Sequence, residues 1–259
     1  MTERRSTYGT RTLAIAGRKG GTGKTTSAVN LAGWLARHDQ TVLLVDLDPQ
    51  GNATLALGVE TDGRDVWRLL VRQDDLVQLV REARPRLDIL AGGEKTASAR
   101  DVLAVGAMRD ARAAMFALRD ALKPARYDYI LIDCPPSLDL LAINGLMASQ
   151  AIALPVPCQF LGVEGARQFI ELAAEVSDAG GRAELRWIIP TFYRAGVRMS
   201  ESVLVSLQDA FAGKVTDPIR LSTRVDEATK AGQTIFEYDP RSGLADDYQA
   251  VAEGIHRGW

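Results

Sequence analysis

Apolar positions fall along the chain in short covered runs separated by longer, one-faced stretches. The run Leu13-Ala14-Ile15-Ala16 predicts a strand over about residues 11–17. Ala28, Leu31, Ala32 and Leu35 then recur at helical spacing, so a helix follows and ends near His38-Asp39. Val42-Leu43-Leu44-Val45 is continuously apolar, as a parallel strand covered on both faces requires. Comparable runs at 87–91, 129–133, 151–156 and 185–191 predict further strands. Val102, Val105, Met108, Ala111, Met115, Leu118 and Leu122 predict one long helix with a single buried stripe. Phe169, Leu172, Ala173 and Val176 mark a helix beginning near Gly162. Helices are also expected at 66–71, 76–80, 200–211 and 226–232.

Strand and helix alternate without a long flexible linker, repeat or low-complexity segment. This predicts an α/β fold: a single doubly wound, mostly parallel sheet flanked by helices over residues 11–259. The polar residues 1–10 are expected to be a flexible N-terminus.

Composition narrows the picture a little. Of 259 residues, 46% are hydrophobic, which is ample for a buried core. A net charge of -2 argues against a generally basic surface, so any nucleic-acid contact must come from a local patch. No apolar run approaches membrane-spanning length, and Met1-Thr2-Glu3-Arg4-Arg5-Ser6 is not a signal-peptide start, so a cytoplasmic location is expected. Cys134 and Cys158 form no ligand cluster and are expected to be reduced, buried thiols. His38 and His256 are expected at the solvated surface.

The chemistry concentrates in three stretches. Lys19-Gly20-Gly21-Thr22-Gly23-Lys24-Thr25-Thr26 lies between the first strand and the first helix. Glycines there let backbone N–H groups converge on an anion, and the helix N-terminus adds positive potential. Lys24 would reach the β- and γ-phosphates of a nucleotide, and the Thr25 hydroxyl would ligate Mg²⁺. The second strand ends in Asp46-Leu47-Asp48-Pro49-Gln50-Gly51-Asn52, at the sheet edge where open α/β folds bind ligands. Tyr129-Ile130-Leu131-Ile132-Asp133 is another strand ending in a carboxylate, suited to holding Mg²⁺ through water, and Cys134-Pro135-Pro136-Ser137 follows it.

A strict P-loop would carry glycine where Arg18 stands, whereas this loop adds a second lysine, Lys19. In this the chain resembles the deviant Walker A ATPases of the ParA/MinD class, and residues 46–54 follow the ParA pattern closely. The resemblance implies that Lys19 reaches phosphates held by a partner subunit, so that ATP lies between two monomers. It implies that Asp46 supports the Mg²⁺ shell and that Asp48 orients the attacking water. It implies slow ATP hydrolysis with Lys19, Lys24 and Asp48 as catalytic residues, accelerated by a ParB-like activator. Non-specific double-stranded DNA is the implied partner of the ATP dimer, with nucleoid association in that state. Arg194, Arg198, Arg220, Arg224 and Lys230 are the candidate DNA contacts, and Phe192 is a candidate adenine contact by its strand-end position. The alternative within the class is a MinD-like membrane-associated switch. The acidic, glycine-interrupted end Asp246–Ile255 disfavours it, and no stable membrane association is expected.

Overall fold

The computed structural model describes residues 9–137 and 139–259. The expected flexible N-terminus, for residues 1–8, lies outside the described residues.

The first strand, β1 (Arg11–Ile15), runs into the glycine loop and then α1 (Lys24–Arg37). β2 (Val42–Asp46) is buried at every position and leads through a turn to the short α2 (Asn52–Ala56). A π-helical turn (Arg68–Arg72), α3 (Leu76–Leu79), β3 (Arg81–Arg84) and β4 (Leu87–Leu90) follow. Next come α4 (Glu94–Ala107), α5 (Ala111–Ala121), β5 (Tyr129–Asp133), α6 (Leu140–Ala148), β6 (Ala151–Pro157), α7 (Gly162–Asp178) and β7 (Glu184–Thr191). The chain closes with α8 (Arg198–Ala210), α9 (Arg224–Lys230), α10 (Ile235–Tyr238) and α11 (Gly243–Arg257).

One seven-stranded sheet has the order β3-β4-β2-β5-β1-β6-β7. Every neighbouring pair is parallel except β3 with β4. Alternation along each strand sends residues to two cores. Leu43, Val45, Ile130 and Ile132 pack with α4 to α8, whereas Val42, Leu44 and Leu131 pack with α1 and α11. Burying both faces is why these strands are apolar throughout.

The long helix expected across 102–122 is two helices. α4 ends at Ala107, and Asp110 caps α5 by accepting the Ala113 N–H at 2.9 Å. Val102, Val105 and Met108 are exposed, Met108 to 87%; α4 buries Thr96, Ala99 and Leu103 instead, and α5 buries Ala114, Phe116 and Leu118. A local cap at Asp110 outweighed a continuous apolar period. The antiparallel edge strand β3 was unforeseen, because Arg81-Glu82-Ala83-Arg84 is polar, as an exposed edge should be. His38 is exposed as expected and stacks on Trp34 at 3.9 Å. His256 is instead half-buried, its Nδ1 2.8 Å from the Tyr129 hydroxyl. Both cysteines are buried and free.

The position of α1 is fixed from the side by α10. Asn30 accepts the Ile235 N–H at 2.8 Å and donates to the Thr26 carbonyl at 2.9 Å. Gly33 lies mid-helix against Thr234, and a Cβ there would come within 2.7 Å of the threonine methyl. Thr234 cannot swing away readily, because its hydroxyl and N–H both bond Glu237. Gly33→Val is therefore expected to destabilise the protein by roughly 1–3 kcal/mol in urea unfolding. Adding Thr234→Ser, which removes the opposing methyl, should recover part of that loss.

Candidate nucleotide and metal site

Three adjacent strands present the site at their C-terminal ends. β5 lies between β1 and β2, and its register sets Asp133 beside Ile15 on one side and beside Asp46 on the other. The glycine loop leaves β1 and turns into α1 through Gly23, whose φ of 89° is a left-handed conformation that a side chain would strain. The threonine at the end of β7 braces this loop, with the Thr191 hydroxyl donating to the Thr22 carbonyl at 2.9 Å. Gly51, φ 64°, makes the corresponding turn after Asp48, where a Cβ would press within 3.1 Å of the Gly92 carbonyl.

Lys24 is buried, and its Nζ donates to the Lys19 carbonyl at 2.8 Å, across the mouth of the loop. Burial depresses its ammonium below the ordinary lysine value, while Asp133 and Asp48 draw it back up. Asp46 and Asp133 are both fully buried. Burial lifts Asp46 to about 6, against the hydrogen bonds from Thr54 that favour its charged form. Asp133 is raised well above the ordinary carboxylate range by burial and then by Asp46, with the Thr25 hydroxyl and Lys24 opposing.

The two carboxyls are not equivalent. Asp46 accepts from the Thr54 N–H at 2.9 Å, the Thr54 hydroxyl at 2.8 Å and the Asp48 N–H at 3.2 Å. Among the described residues neither oxygen of Asp133 has a partner in ordinary hydrogen-bond geometry; the Thr25 hydroxyl approaches it outside that geometry. A buried, unpartnered carboxyl beside a buried lysine fits a site whose remaining partner is a bound cation or a phosphate-bound metal. Among the described residues no three acidic, histidine or cysteine side chains converge into a protein-only metal cage. Mg²⁺ does not need one, because it is commonly held by one or two protein oxygens with phosphates and water completing the shell. Asp133 and Thr25 can hold it here, with Asp46 behind them.

The cleft in front of this cluster has a volume of about 390 Å³ and is walled by the loop, Thr26, Asp48, Gln50 and Pro136. Its opposite wall is α9, through Val225, Asp226 and Thr229, which the sequence reading missed. Asp48 accepts the Gln50 N–H at 3.0 Å and faces the cleft. Phe192, held at φ 54°, sits against Gly23. Lys19 is exposed and does not line the cleft; its ammonium lies beside Gly165 of α7.

The candidate DNA residues divide into two kinds. Tyr193 pairs with Arg220, bringing the loop that carries Arg194 next to the 220–224 segment. Arg194, Arg198 and Lys230 are exposed, and among the described residues none makes an ion pair. Arg220 is held by Asp247 in a two-point contact at 2.7 and 2.8 Å, and Arg224 pairs with Asp239 at 2.9 Å.

Fold and site together define a P-loop nucleotide-binding protein of the mostly parallel α/β type. A family model described as an AAA domain matches residues 10–186. The chromosome-partitioning ATPase Soj of Thermus thermophilus is 37% identical over 247 residues, covering 95% of both chains. The chromosome partitioning protein ParA of Caulobacter vibrioides is 34% identical over 254 residues, covering 95% of this chain and 93% of the relative. Cobyrinic acid a,c-diamide synthase from Mycobacterium smegmatis, solved with bound ADP and magnesium, superposes with a TM-score of 0.81 at 29% identity, covering 96% of this chain and 95% of the other. The chain belongs to the Soj/ParA family of P-loop ATPases.

The unpartnered Asp133 has a consequence for the nucleotide-free protein. Its folded-state proton affinity exceeds that of the unfolded chain, so it costs nothing at acid pH, where both states are protonated. The cost grows as pH rises out of the ordinary carboxylate range and is full once the raised value is passed. Asp133→Asn should therefore stabilise the nucleotide-free protein by about 1–3 kcal/mol near pH 8. The gain should fade towards pH 4, measured as the difference in thermal midpoint from wild type across that range.

Proposed function

We propose that residues 11–259 act as one Mg²⁺-dependent ATPase domain that dimerises around ATP, binds double-stranded DNA non-specifically and positions a cargo, with hydrolysis stimulated by a ParB-like activator. The observation that carries the reading is the buried, unpartnered Asp133 beside Lys24 at the mouth of the glycine loop. In this reading the loop N–H groups and Lys24 hold the β- and γ-phosphates. Mg²⁺, when bound, would supply positive charge to offset that of the phosphates. Thr25 and Asp133 hold its site, and Asp46 fixes the neighbouring turn. Asp48 positions the attacking water in line with the terminal phosphate; a carboxylate is too weak a base to strip that water outright near neutral pH, so orientation is its contribution. Phe192 packs on the nucleotide beside Gly23.

Lys19 supports the two-subunit site. Its side chain is exposed, lies beside Gly165 and stays outside the cleft that its own loop walls, which supports a role towards phosphates held by a second copy. A cation supplied in trans to developing phosphate charge is worth roughly 10³–10⁵-fold in related phosphoryl transfers. For DNA, the exposed Arg194, Arg198 and Lys230 are favoured as contacts. Arg220 and Arg224 would first have to exchange carboxylate partners for phosphates. The membrane-switch alternative is disfavoured by α11, whose apolar residues Leu244, Tyr248, Val251 and Ile255 are buried in the core.

Lys24→Ala is expected to abolish nucleotide binding, and retained tight ATP binding would overturn the site assignment. Asp48→Ala should keep ATP bound while phosphate release stops. Lys19→Ala should lose the ATP-dependent dimer seen by light scattering; a wild type that stays monomeric with a slowly hydrolysed analogue sinks the two-subunit site. In DNA titrations over a salt series, Arg194→Ala with Arg198→Ala should weaken ATP-dependent binding and flatten the slope of log K against log salt by roughly 0.9 per lost phosphate contact.

A further inference from the structure

The clamp on Asp46 comes from a residue eight positions along the chain, on a different element. Thr54, in α2, is 2% exposed, and both its N–H and its hydroxyl point at the same carboxylate oxygen of Asp46, at 2.9 and 2.8 Å. The hydroxyl oxygen in turn accepts the Gly92 N–H at 3.0 Å. The Gly92 N–H can only donate, so the hydroxyl accepts there and its single proton is directed to Asp46. The end of β4 closes over the pair: a Cβ at Gly92 would sit 2.6 Å from the Asp46 carbonyl oxygen and 2.7 Å from its carboxyl carbon. The second carboxylate oxygen of Asp46 accepts the Asp48 N–H at 3.2 Å, so the rotamer of Asp46 also anchors the turn that carries Asp48. Asp46 is thus held by three donors, in register with an Asp133 that, among the described residues, has none in ordinary hydrogen-bond geometry.

We propose that Thr54 is a positioning residue for the magnesium–nucleotide site: its hydroxyl, fixed by the Gly92 N–H, locks the Asp46 carboxylate and through it the placement of Asp48 and the environment of Asp133. The proposal rests on the reading of the cleft as a Mg²⁺–ATP site. Outer partners of this kind set which way a carboxylate presents its lone pairs, and their loss weakens metal affinity by roughly 10–100-fold in known sites. Thr54→Val keeps the shape and the backbone N–H but removes the hydroxyl, leaving both Asp46 and the Gly92 N–H short of a partner. Thr54→Ser keeps the hydroxyl.

The test is a Mg²⁺ titration of fluorescent ATP-analogue binding, with thermal unfolding recorded in parallel. T54V is expected to need roughly 10–100-fold more Mg²⁺ for half-maximal binding. Its affinity for the analogue in EDTA should be unchanged, and T54S should stay close to wild type. A contribution to folding alone would lower the thermal midpoint without moving the Mg²⁺ midpoint, and that result overturns the proposal. So does a T54S variant that itself needs roughly 10-fold or more extra Mg²⁺, an outcome that can be read even if T54V does not fold. A wild type that binds the analogue with no Mg²⁺ dependence overturns the underlying site reading and the role of Thr54 together. Normal wild-type dependence with an unaltered T54V overturns only the latter.

Discussion

Two buried carboxyls and a buried ammonium are gathered behind the cleft at the C-terminal ends of β2 and β5. Asp46 and Asp133 lie opposite each other in register, fully buried, and Lys24 is drawn towards them from the start of α1. Charges placed in such a setting are tolerated only when paired or hydrogen-bonded, and Asp133 has Lys24 nearby but, among the described residues, no partner in ordinary hydrogen-bond geometry. The fold therefore holds a local instability where the glycine loop opens. Under the proposed reading, a ligand that supplies the missing partner would stabilise the folded protein by mass action.

Much of the remaining architecture keeps that arrangement in place. The central position of β5 between β1 and β2 makes the carboxylates converge with the glycine loop, although the three strands are far apart in the chain. α1 is pinned to α10 by Asn30 and by the absence of a side chain at Gly33. Arg84 on the edge strand donates to the carbonyls of Leu57 and Gly232 and pairs with Glu237 at 2.5 Å, tying α2 and α10 to β3. The same segments that wall the cleft, α2 and α9, thus meet at one guanidinium.

Legibility in the sequence followed the range of the physics involved. The glycine loop, the strand-end aspartates and the covered parallel strands rest on contacts within a few residues, and each was readable. The break between α4 and α5 was missed because a single cap at Asp110 overrode an apolar repeat that looked continuous. His256 was misplaced because its partner, Tyr129, is on a distant strand. Thr54 stood in plain view inside the aspartate stretch, yet only the fold turns α2 back so that it can hold Asp46.

The order of amino acids alone determined the α/β class, the phosphate loop and the residue types of its chemistry, since hydrophobic period and glycine conformation act locally. Tertiary structure decided which carboxylate is clamped and which is left bare, where Lys19 lies relative to its own cleft, and which arginines are held by carboxylates. Those outcomes depend on strand register and on contacts between residues tens to hundreds of positions apart, which no local pattern encodes.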